Sequence, residues 1–179
     1  MSQKVLLITG ATGQQGGAVI DSLLADQSGR SSFRILAVTR DPTSASASRL
    51  AGKSAAISLL KGDLDDVPAL FRSASEITKD PIWGVFSVQV PKNVVKEEQQ
   101  GKALVDEALK AGVKRFVYTS VDRGGDERSW TNETDVPHFK SKHRIELHLR
   151  EQAEKAGGEM TWAVLRPVAF MDNIQPGFG

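Results

Sequence analysis

The chain has no cysteine, which excludes disulfide staples, thiolate nucleophiles and cysteine-ligated metals together and suits a reducing compartment. It also lacks a dominant charge. Lys and Arg total 23 against 22 for Asp and Glu, a net +1, so no global field selects nucleic acid, an anionic membrane or acidic substrates. No apolar run approaches the roughly 20 residues that span a bilayer, and the mean hydropathy is −0.27. The first apolar stretch, Val5-Leu6-Leu7-Ile8, is too short for a signal segment and runs straight into glycines. A soluble protein of the cytoplasm, with the nucleus also open to it, is expected. Histidines number 3. His138, His143 and His148 recur every five residues, whereas a helical metal pair needs spacings of three or four, so no metal is expected.

What is present is an alternation. Short apolar runs at Val5 to Thr9, Arg34 to Thr39, Ala56 to Leu60, Trp83 to Val88, Phe116 to Ser120 and Trp162 to Leu165 read as strands buried on both faces. Between them, Gln14 to Ala25, Val67 to Ser75 and Val94 to Ala111 carry helical periodicity. Gly101, Leu104, Val105 and Ala108 form one stripe of the last of these. The Ser-rich Thr43 to Ser48 reads as a surface loop. The pattern predicts an α/β fold with a Rossmann-type doubly wound parallel sheet, a single domain over residues 1–179. In this reading 167–179 begins an incomplete C-terminal region, the substrate or partner part being largely missing. The long stretch Val121 to Pro137 suggests a lid or binding edge, or equally a solvated loop.

Gly10-x-x-Gly13-x-x-Gly16 follows the first strand and opens the first helix. In that context the three glycines give a tight turn, a close backbone approach to a pyrophosphate and close helix–strand packing, with phosphate at the helix N-terminus. Gly10, Thr12, Gly13, Gln14, Gln15 and Gly16 are therefore the expected phosphate cradle, with Gly17 beside it. A P-loop is excluded because Gly-Lys-Ser/Thr is missing. The second strand ends at Arg40, whose planar guanidinium can fork onto a 2′-phosphate, so NADP is the expected cofactor. Asp41, next along, could accept a ribose 2′-hydroxyl and keeps NAD open. Asp63 and Leu64 should meet the adenine edge, although Asp63 could equally cap a helix. Ser87, Val88, Gln89, Val90 and Pro91 should approach the nicotinamide half.

These motifs resemble the NmrA-like branch of the atypical short-chain dehydrogenase/reductase superfamily. The resemblance rests on Ile8-Thr9-Gly10-Ala11-Thr12-Gly13-Gln14-Gln15-Gly16-Gly17, Thr39-Arg40-Asp41-Pro42, Lys61-Gly62-Asp63-Leu64-Asp65-Asp66, Phe116-Val117-Tyr118-Thr119-Ser120, and His138-Phe139 spaced to Lys142. It implies an NADP-binding protein that reports redox state to a regulatory protein partner; the charge balance and hydropathy add the expectation of no direct contact to nucleic acid and none to membrane. Dehydrogenases of the superfamily use a Tyr-x-x-x-Lys pair, but here His138 stands four residues before Lys142. The single tyrosine, Tyr118, lies inside a strand. Little or no dehydrogenase activity is therefore expected, the alternative being an NADPH-dependent reductase of quinone or phenolic substrates that lacks the tyrosine.

Lys142 shares a helical face with Ile145, Leu149, Ala153 and Ala156. An ammonium at the end of a core stripe calls for an anionic or hydroxyl partner such as the nicotinamide ribose, or else snorkels to solvent. His138 could act as a general acid or merely occupy the first helical turn, and Ser120 could supply a hydroxyl at the strand end.

Overall fold

The computed structural model describes residues 3–26, 33–90, 93–168 and 170. Six parallel strands form one sheet: β1 (Lys4–Ile8), β2 (Phe33–Thr39), β3 (Ile57–Lys61), β4 (Ile82–Ser87), β5 (Arg115–Thr119) and β6 (Thr161–Leu165). Their order is β3-β2-β1-β4-β5-β6, the doubly wound arrangement, in which the strand order reverses between β1 and β4. Near-continuous apolar strands follow from burial on both faces. One face is covered by α1 (Gln14–Ala25) and α2 (Ala45–Ala51), whose Ile20 and Leu50 meet Ile8, Ile35, Ala37 and Phe86. The other face packs against α3 (Val67–Ile77), α4 (Val94–Lys110) and α6 (Pro137–Lys155), with Leu70, Leu104, Ile145 and Leu149 set against Leu7, Leu36, Phe116 and Tyr118. Ile145 of α6 occupies the space over Gly101 of α4, so the two helices approach closely where a side chain would collide.

Two segments and the strand ends differ from the sequence reading. The presumed surface loop Thr43 to Ser48 runs into α2, because Ser44 caps it by accepting from the Ala47 amide at 3.3 Å and because Ala47 and Leu50 are buried. Burial of two small apolar faces outweighs the serine content. The stretch after β5, most of it exposed, is not featureless. It contains a short α5 (Asp126–Ser129) and is pinned by Arg123, which donates to the carbonyls of Val121, Ser129 and Asn132. Strand ends shift by at most one residue, within the ordinary spread of such boundaries.

β6 is an edge strand. Trp162 and Val164 face the α6 side, whereas Thr161, Ala163 and Leu165 are exposed. Beyond it, Pro167 pairs backbone with Asp122, and most of 167–179, together with Pro91, lies outside the described residues. Among the described residues no helix is long and apolar enough to cross a membrane.

Candidate dinucleotide-binding site

At the carboxyl edge of the sheet, Thr9 begins the site. Its hydroxyl donates to the Val88 carbonyl at 2.9 Å and accepts from the Val88 amide at 2.8 Å, so the turn after β1 is stitched to the segment after β4. The chain then enters Gly10 at φ +58°, a left-handed conformation that favours glycine. A Cβ there would stand 2.6 Å from Val88 Cγ1. The Gly13 amide returns to the Gly10 carbonyl at 2.9 Å, and at Gly16 an added Cβ would lie 2.7 Å from the Gly10 carbonyl carbon and 2.8 Å from the Thr9 oxygen. The turn is therefore as tight as backbone alone permits. Gly13 caps α1 with no side-chain hydrogen bond, and the first turn of α1 has no acid, so its leading amides and dipole face outward toward an anion. This cradle fits a dinucleotide pyrophosphate.

Beside it opens a cleft of about 500 Å3. Gly10, Thr12, Gly13, Arg40, Asp63, Leu64 and Val88 from the sequence reading all line it, as do Asp41 and Val90. Asp63 does two things at once, because Oδ1 also accepts from the Asp65 amide at 3.1 Å and caps the 3-10 turn Leu64–Asp66. Arg40 forms no ion pair among the described residues, although its charge acts on Asp65 across the cleft. Asp41 Oδ1 accepts from the Thr43 hydroxyl at 2.6 Å and the Thr43 amide at 2.9 Å, and these bonds hold its carboxyl below the usual range.

The far wall went unrecognised in the sequence. Asn93, Lys96 and Gln100 of the α4 end line the cleft, and Asp65 accepts from Lys96 Nζ at 2.6 Å and Gln100 Nε2 at 2.7 Å. These bonds hold the Asp65 carboxyl below its usual range. The available signal was Asn93 before an apolar helix start, since its Oδ1 caps α4 through the Lys96 amide.

Other expected residues lie elsewhere. Gln14 faces a second, outer cleft between α1 and α2. The Gln15 side chain accepts from Thr119 Oγ1 at 2.6 Å, tying α1 to β5. Ser87 and Gln89 are buried and bonded to each other, Gln89 Nε2 donating to Ser87 Oγ at 2.8 Å. Ser120 is buried, and its hydroxyl is reached by Arg123 Nη1 at 3.4 Å. Arg123 in turn donates to Glu146 at 2.7 Å, with both side chains wholly buried, and Arg166 donates to the same carboxylate at 3.0 Å. Burial pushes the Glu146 carboxyl up, but the bonds from Arg166 and Arg123 outweigh it and hold the group below its usual range. The three histidines have three different neighbours: His138 the Phe139 ring, His143 the Trp130 carbonyl and His148 the Asp106 carboxylate.

Lys142 is not a solvated lysine. Its ammonium lies 3.0 Å from Glu97 Oε1, the carboxylate being fully buried and the lysine side chain 11% exposed. Ser141 Oγ reaches the other oxygen, Oε2, at 2.7 Å. The ammonium also stands 5.8 Å from the centre of the Tyr118 ring. Burial, then the charges of Glu97 and Glu146, push the Tyr118 phenol well above its usual range.

The NmrA-like family model matches residues 2–176. An NmrA-like family domain-containing protein of Dictyostelium discoideum is 30% identical across 97% of this chain and 54% of its own length. The NmrA-like family domain-containing oxidoreductase ptmS of Penicillium ochrochloron is 31% identical over 97% of the chain and 49% of its own. Among solved structures, the Citrobacter sp. triphenylmethane reductase complexed with NADP(H) superimposes with a TM-score of 0.70 at 24% identity, covering 94% of this chain and 51% of that one. The chain thus spans about half the length of the curated relatives it matches, and across nearly all of its own length it belongs to the NmrA-like family.

Proposed function

We propose that the protein binds NADP(H), with the pyrophosphate on the Gly10–Gly16 turn and the 2′-phosphate at Arg40, and serves as a redox-responsive regulator with little or no dehydrogenase activity. The observation that carries the cofactor preference is the division of labour at the end of β2. Asp41, the residue that could take a 2′-hydroxyl, spends Oδ1 on Thr43, while Arg40 stands over the cleft without an ion-pair partner among the described residues. A guanidinium so placed offers a forked, charge-assisted contact to phosphate.

The bound dinucleotide would supply or accept a hydride. The chain itself offers no exposed phenol beside it: the Tyr118 side chain is buried and its hydroxyl has no hydrogen-bond partner. This favours a reporter of cofactor state, working with a regulatory protein partner in the cytoplasm or nucleus. A second reading, an NADPH-dependent reductase of quinone or phenolic substrates, is favoured by Lys142, a cation that could polarise a carbonyl without any tyrosine. The oxidoreductase names of relatives such as ptmS point the same way.

Calorimetric titration with NADP, NADPH, NAD and NADH, followed by an NADPH oxidation assay against quinones and small carbonyls, separates these readings. Selective NADP(H) binding without oxidation supports the regulator. Binding with turnover transfers the assignment to the reductase, and equal affinity for NAD(H) would defeat the role given to Arg40.

A further inference from the structure

Two misplaced charges meet beneath the carboxyl ends of β4 and β5. Glu97 lies on the buried face of α4, one turn before Gly101 and in line with Leu104 and Ala108, and its side chain has no exposure. Lys142 lies on the buried face of α6, one turn before Ile145. Neither charge is tolerable alone in such surroundings, and together they cancel. The arrangement is asymmetric. Glu97 Oε2 accepts from Ser141 Oγ, while Oε1 has no hydrogen-bond partner and faces the Lys142 ammonium at 3.0 Å; the carboxylate also lies in the N-terminal turn of α4, where negative charge is favoured. Lys142 has three donors and gives one direction to Glu97. Of the two, Lys142 is the member that keeps residual exposure.

That edge is the nicotinamide side of a doubly wound sheet. The adenosine cleft lies over β2 and β3 at Arg40 and Asp63, and the glycine turn follows β1. Tyr118, under the ammonium, is paired in register with Ser87, the last residue of β4. Lys142 thus stands on the opposite side of the phosphate cradle from Arg40, where a dinucleotide crossing the switch point would place its second ribose.

We infer that Glu97 is the positioning residue of this site: its buried carboxylate, braced by Ser141, fixes where the Lys142 ammonium reaches on the nicotinamide-ribose half of the cofactor. The inference rests on the NADP(H) reading above. α4 supplies its own control, because the same helical end carries Asn93, Lys96 and Gln100 in the wall of the adenosine cleft. A Glu97 that merely held this turn together would disturb both halves of the cofactor. A Glu97 that aims Lys142 disturbs one.

The test is calorimetric titration of the full chain, as parent, Glu97→Gln and Glu97→Asp, with NADPH and with adenosine 2′,5′-bisphosphate, which lacks the nicotinamide ribose. Glu97→Gln should weaken NADPH about tenfold, a change of about 1.4 kcal/mol, and leave the bisphosphate unchanged. Glu97→Asp, which keeps the charge, should recover most of the loss, and it carries the test if the glutamine variant melts too low to titrate. Equal weakening of both ligands, or no weakening of NADPH, overturns the positioning role. A parent protein that binds neither ligand overturns the NADP(H) reading first, and the positioning role with it.

Discussion

Replacing Lys142 by methionine keeps the length and apolar stem of the side chain and deletes only the ammonium. The carboxylate left behind has no exposure and cannot reach water. Breaking a buried pair from one side costs about 3–5 kcal/mol. Ser141 and the N-terminal turn of α4 still stabilise the carboxylate, which places this case at the lower end, about 3 kcal/mol. For a chain of this size each kcal/mol moves the melting temperature by about 2–4 °C, so Lys142→Met should melt about 6–12 °C lower. Adding Glu97→Gln removes the stranded charge and should restore most of that loss, since a buried pair replaced on both sides is close to neutral. Glu97→Gln alone should be milder than Lys142→Met, because the ammonium retains 11% exposure and can lean toward solvent. Circular-dichroism melting without dinucleotide at neutral pH reads all four proteins. If Lys142→Met melts with the parent, or if the two single losses simply add, the pair is not the stabilising unit described.

Arg40→Ala should weaken NADP by about 10- to 150-fold, the equivalent of one charge-assisted contact of about 1.5–3 kcal/mol, and leave NAD nearly unchanged in the same titration. Gly16→Ala should abolish dinucleotide binding and lower the melting temperature, because the new Cβ would lie under 3 Å from the backbone of both Gly10 and Thr9. Binding equal to the parent in calorimetry would show that the turn can relax. Glu146 has its carboxyl lowered in the folded state, so its contribution is present above the ordinary glutamate value of 4.5 and lost as pH falls through the lowered one. A melting series against pH should show Glu146→Gln less stable than the parent at neutral pH and flatter below pH 4.5; parallel curves would refute that linkage.

The strand–helix rhythm was readable because a parallel sheet needs apolar strands, and those carry their signal locally. The glycine turn was readable because backbone sterics leave few alternatives to glycine at Gly10 and Gly16. Helix α2 was missed because its burial rests on two residues, Ala47 and Leu50, inside a serine-rich run. The Lys96 wall was missed because its partner Asp65 is 31 positions away on another element. Glu97 was the most legible of the omissions. A lone acid one turn before Gly101 on an otherwise apolar face demands a cation, and Lys142 is the matching misfit on α6. What no pattern announces is that these two faces meet, which depends on Gly101 letting Ile145 in.

The order of strands also has a consequence in time. β1, made before every other strand of the sheet, ends in its middle, flanked by β2 and β4. Thr9 finds its Val88 partner only across a separation of 79 residues. At elongation rates of about 5–20 residues per second, the nascent chain waits roughly 4–16 s for that contact. Until then the Gly10 turn has no floor. The glycine turn is thus completed only after β4 has been made, although its own motif is synthesised with β1.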